Sequence, residues 1–161
     1  MKLVRNRDAL ESLPLKLIII AVVASLSVVP AAEALENMKT REFLRRAELQ
    51  LEKIGTTAHI VSVEGPGSAR LIDLDFSSKS RLSFGSLTIG DAKSGANMSA
   101  MVLELKNGAR LVRFLDDPPI WLNGPRDSAL VVDAPVFRLR LSLVIINSTS
   151  CVVAEAQPWI S

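Results

Sequence analysis

The hydrophobic pattern of this chain changes rhythm twice. From Leu17 to Ala32 sixteen residues pass without a charge, LIIIAVVASLSVVPAA, behind a short charged leader. At about 1.5 Å per helical residue this run reaches about 24 Å. Starting at Leu13, with Lys16 snorkelling to the headgroups, gives about 30 Å, just enough to cross the hydrocarbon core. Leu44, Ala47, Leu51, Ile54, Ala58 and Val61 then recur at spacings of three and four, an a/d seam. Arg41, Glu42, Arg45, Arg46, Glu48, Glu52 and Lys53 take the opposite face. Glu42 and Arg46 form a favourable i, i+4 pair. Pro30 predicts a kink rather than an end, because the pattern resumes after it. Gly55, preceded by Lys53 and followed by Thr56-Thr57, is a candidate C-cap. The seam running on through Val61 instead favours a helix fraying near residues 58–63.

Beyond Gly65-Pro66-Gly67 the period becomes two. Ile72, Leu74 and Phe76 alternate with Asp73 and Asp75, and Leu82, Phe84, Leu87 and Ile89 suggest another strand or two. Segments 101–105 and 109–115 flank Asn107-Gly108, a strong hairpin signal. A loop holds Trp121 between Asp116-Asp117-Pro118-Pro119 and Asn123-Gly124-Pro125. Leu139, Leu141, Leu143 and Ile145 alternate with Arg138, Arg140 and Ser142 along a half-buried strand, and 151–154 reads as a last strand. The expected fold is α+β: a leader at 1–12, a kinked membrane-competent helix at 13–62, and a small antiparallel sheet or sandwich head of about seven strands at 63–161.

Composition removes several function classes. A net charge of +2 in 161 residues, two Trp, five Phe and no Tyr do not make a nucleic-acid surface. A single cysteine, Cys151, excludes an internal disulfide and a cysteine metal cluster, and reads as a buried, inert thiol. His59, the only histidine, falls at the helix end, so a Ser-His-Asp arrangement is not expected. Asp73 and Asp75 read as acids on a solvated strand face, and Arg138 and Arg140 as the outward charges of an edge strand. No catalytic residue, metal or cofactor is expected.

Lys2, Arg5 and Arg7 precede the apolar run, and Glu33 and Glu36 follow it. This asymmetry predicts a cytoplasmic N-terminus and an exported head. Asn97 and Asn147 head N-x-[ST] triplets and are candidate glycosylation acceptors. A basic leader, an acid before an apolar helix, an amphipathic continuation and a β-rich head resemble the layout of type IV pilin-like proteins. DALESLPLKLIII at 8–20 and GPGSAR at 65–70 are similar to archaeal members with class III signal peptides. That resemblance implies trimming of the leader by a prepilin peptidase, and helices bundled with sister or related subunits in an extracellular filament. It maps a cut between Asn6 and Arg7 and the acid near the mature N-terminus onto Glu11. The residue before the cut is normally small in the family, and Asn6 departs from this.

The physics points the same way. A helix apolar enough for lipid leaves the bilayer only if sister helices cover it, and Ala21, Ala24, Ser25 and Ser27, with Pro30 nearby, permit close approach. Glu11 either pairs with a neighbour's N-terminal amine or simply faces its own helix dipole. Two rivals remain. In one, Leu17–Val29 and Ala32-Glu33-Ala34 form a cleaved secretory signal ahead of a soluble exported β domain. In the other, the helix stays uncleaved as the anchor of a surface or archaellum-associated β domain.

Overall fold

The computed structural model describes residues 7–90, 99–115, 120–125, 128–146 and 148–158. One helix, α1 (Arg7–Glu64), is followed by eight strands among these residues: β1 (Ala69–Asp75), β2 (Phe84–Ile89), β3 (Ala100–Leu105), β4 (Arg110–Phe114), β5 (Leu122–Asn123), β6 (Leu130–Val132), β7 (Val136–Ile146) and β8 (Thr149–Pro158). The α+β expectation holds. The helix starts earlier than expected, taking in residues 7–12 of the supposed leader, and it runs on through both Pro14 and Pro30. Gly55 is not a cap. It is a buried helical residue, and a Cβ there would lie 2.8 Å from Leu115 Cδ2. A side chain is missing where the helix packs against Leu115, a glycine that sequence alone reads as a stop signal.

The chain divides into two compact units, residues 1–39 and 40–161. In the second, strands order β1-β7-β8-β5 in one sheet and β4-β3-β2-β6 in the other. All pairings are antiparallel except β5 with β8, which is parallel. The period-two residues of both sheets meet in one core: Leu74, Phe137, Leu139 and Leu141 from the first, Leu87, Ile89, Met101 and Leu103 from the second. Phe76 bridges the sheets, its ring centroid 5.4 Å from Phe84 and 6.2 Å from Phe137.

The helical seam completes this core. Phe43, Ala47, Leu51, Ile54, Ala58 and Val61 are all buried in it, with Leu44 half-buried beside them. Three and four residue steps keep them on one stripe of about 100°, leaving the charged face to water. The helix exit is a type II turn. Ser68 N–H donates to Gly65 C=O at 3.1 Å across Pro66 and Gly67, and the +89° φ of Gly67 is the value this turn requires. Ser68 Oγ lies within hydrogen-bond distance of both the Val61 and the Gly65 carbonyls, tying the turn to the last turn of the helix.

The hairpin at Asn107-Gly108 forms as expected, by a different turn from the two-residue type. Gly108 alone has positive φ, Gly108 N–H donates to Leu105 C=O, and Leu105 N–H donates to Ala109 C=O. That is a type I turn closed by a glycine bulge.

Candidate functional site

The described part of the first unit is helix, and its described large apolar side chains are exposed. Leu15, Leu17, Ile18, Ile19, Ile20, Val22, Val23, Leu26 and Val28 are each at least 50% exposed. It is a helix long and apolar enough to cross a membrane. Ala21, Ala24, Ser25 and Pro30 lie on this exposed stretch. Ser25 Oγ donates to the Val22 carbonyl at 2.8 Å, so the hydroxyl is satisfied inside its own helix and costs little in hydrocarbon. Arg7, Glu11 and Ser27 are helical, with side chains outside the described set. Asn6, Asn97 and Asn147 lie outside the described residues.

From Phe43 onward the same helix is a component of the head. The amphipathic seam, which sequence leaves free to bundle with other helices, is occupied by the chain's own sheets. Among the described residues, the exposed large apolar side chains of the helix are therefore concentrated upstream of Phe43. Phe43 precedes the seam noticed in sequence, and the signal for it was present, since it sits four residues before Ala47.

Several charged side chains on the surface of the head are paired. Arg138 and Arg140 do not sit on an edge strand, because β7 lies between β1 and β8. Each faces an acid directly across the ladder. Arg138 Nε is 3.0 Å from Asp73 Oδ1 and Arg140 Nη1 is 3.5 Å from Glu155 Oε2. These are cross-strand pairs worth a few tenths of a kcal/mol each. Asp75 Oδ1 accepts the Ser77 N–H at 2.8 Å, and hydrogen bonding from Ser77 holds its carboxyl below the usual carboxylate range. Glu64 closes the helix with an ion pair to Arg70 of β1. The Arg70 hydrogen bond lowers the Glu64 carboxyl and raises the guanidinium. The Glu64–Arg70 pair ties the helix exit to β1, and the Asp75–Ser77 bond closes the end of that strand.

The candidate residues for chemistry do not converge. His59 is exposed on the helix, where its carbonyl accepts the Ser62 hydroxyl. Cys151 is buried in β8, its Sγ 3.4 Å from the Trp121 carbonyl. Trp121, expected in a loop, flanks β5 and its carbonyl also accepts the Val152 N–H. Among the described residues no three His, Cys, Asp or Glu side chains are grouped to hold a metal ion.

The head does have one open groove, of about 420 Å³, between α1 and β4. Arg45, Glu48, Leu49 and Glu52 form one wall, Leu111, Val112 and Arg113 the other.

No protein-family model, curated protein or solved structure matches the chain. The functional reading therefore rests on the helix and the head themselves.

Proposed function

We propose that this protein is a structural subunit or accessory component of an extracellular type IV pilus-like filament, inserted in the membrane and assembled through its N-terminal helix. The observation that carries the reading is the division of labour along α1. The described large apolar side chains of its first part are exposed, while from Phe43 its seam is sealed into a folded head. Exposed apolar surface of that extent is covered either by lipid or by other helices. A pilin-like subunit uses both in turn, lipid before assembly and sister helices after it. Cross-strand ion pairs at Arg138–Asp73 and Arg140–Glu155 suit the solvated face of a building block. The N-terminus is cytoplasmic on this reading, the head is outside, and a prepilin peptidase acts between Asn6 and Arg7.

A permanently anchored surface protein is the second reading, supported by the same apolar helix. The cleaved-secretory alternative has less support, because Ala32-Glu33-Ala34 lies inside a continuous helix. Intact-mass spectrometry of the native protein separates the three. Loss of the first six residues supports the filament reading, loss of the first 34 the secretory one, and a full-length mass the anchor. Replacing Glu11 by Ala in the native host adds a functional test. Normal insertion with depleted surface filaments is expected, and filaments at wild-type abundance would overturn the pairing role of Glu11.

A further inference from the structure

The two sheets each present an edge strand beside α1, and the two edges are treated differently. On β1 the groups facing away from β7 include the Asp73 carbonyl, since Phe76 N–H donates to Pro135 C=O and the alternation of an antiparallel ladder does the rest. Lys53 Nζ reaches across from the helix and donates to that carbonyl at 2.8 Å. Among the described residues β4 receives no such side-chain cover. Leu115 N–H donates to Ser99 C=O, so Leu111 and Arg113 turn their backbone groups to β3. Arg110, Val112 and Phe114 turn theirs outward. Six backbone donors and acceptors line this free edge, beside the open groove.

We propose that β4 pairs antiparallel with β4 of a second copy, joining two heads through one continuous sheet. The sequence RLVRF fits this on a two-fold axis at Val112. Arg110 then faces the second copy's Phe114 on the outer surface, a cation over an aromatic face. Leu111 faces the second copy's Arg113 on the groove side, where Glu48 and Glu52 receive the guanidinium. All six outward backbone groups find partners. A slip of two residues one way sets Arg113 against itself. A slip of two the other way leaves the outward groups of Phe114 opposite the Gly108 turn, without a strand to bond. Slips by one residue turn outer side chains inward. Charge and hydrogen bonding thus select a single register. Edges of this kind are a standing template for pairing unless blocked. The contact is argued from the head alone and does not rest on the filament reading.

Cysteine pairing in the full-length chain in detergent micelles tests the register. The sole native cysteine is buried, so the parent chain provides the blank. Val112→Cys is expected to give a disulfide dimer at least tenfold faster than Glu155→Cys, because directly opposed Cα atoms of a hydrogen-bonded pair lie about 5.5 Å apart. Arg110→Cys and Phe114→Cys are each expected to stay monomeric alone and to cross-link when mixed. Val112→Pro supplies a second measurement. Its missing N–H belongs to the outward set, so the β3–β4 ladder and the circular dichroism stay intact while the dimer mass is lost in native mass spectrometry. A folded Val112→Cys chain that links no faster than Glu155→Cys would overturn the proposal. So would a folded Val112→Pro chain that keeps the dimer mass.

Discussion

Ile54→Ala is the substitution that measures how firmly α1 belongs to the head. Ile54 is fully buried, at the middle of the seam. Truncation removes three carbons, about 2.4 kcal/mol at about 0.8 kcal/mol per buried CH₂. The position is fully buried within the core cluster, so collapse into the space is limited. A cavity term then raises the cost to about 3.5 kcal/mol, inside the usual range of about 2–5 kcal/mol for such truncations. The matched control is Ile18→Ala, the same chemistry at 60% exposure on the uncovered stretch, expected within about 0.5 kcal/mol. Urea unfolding of the full-length chain in mild-detergent micelles, followed by circular dichroism and tryptophan fluorescence, reads both. With a slope of about 1.5–2 kcal/mol per molar, the Ile54→Ala midpoint falls by about 2 M. Equal midpoints for the two variants would refute the claim that residues 43–61 are head rather than stalk.

Gly90→Ala is expected to destabilise the head by about 2–4 kcal/mol in the same titration. Its φ is +73°, and an added Cβ would sit 2.4 Å from the Leu122 carbonyl oxygen, a backbone atom with nowhere to go. Glu64 and Asp75 are both lowered by hydrogen bonds, so their contribution is present above the ordinary carboxylate range and is lost as pH falls through their folded values. The head should melt at lower temperature below about pH 4, and Asp75→Asn should flatten that dependence. Ala24→Arg places a cation on the apolar stretch and costs about 2.5–3.5 kcal/mol of insertion, lowering the carbonate-resistant fraction. Arg140→Ala, on a solvated strand face, should change stability by no more than about 0.5 kcal/mol.

The elements legible in sequence are those long enough to show a period. Ala47 to Val61 announce a stripe because five of them recur on one face, and Leu139 to Leu143 announce a strand because arginine and serine separate them. β5 and β6 have two and three residues, too few for any rhythm, and neither was foreseen. Gly55 misleads because a residue that lets two backbones approach is spelled the same way as one that ends a helix. Arg138 and Arg140 mislead because outward charge is common on edges, whereas here directly opposed acids on β1 and β8 neutralise it inside a sheet. The apolar stretch that carries the functional reading was legible from its length alone. The free edge of β4 was not, because which strand lies outermost depends on pairings across the whole head.

Those pairings also set a timetable. β1 is made early, yet its partner β7 arrives 65 residues later, as the Asp73 to Arg138 bridge records. β5 has to wait for β8, at the very end of the described chain. A chain emerging N-terminus first therefore delivers a finished apolar helix long before its head has any sheet to fold with. The seam from Phe43 to Val61 is not fully covered until both sheets have formed. Slow closure of this sort is a hazard in a crowded cytosol, where exposed apolar stripes aggregate. For a chain threaded across a membrane it is an advantage, because an early helix can seat in the bilayer while the rest is still loose enough to pass.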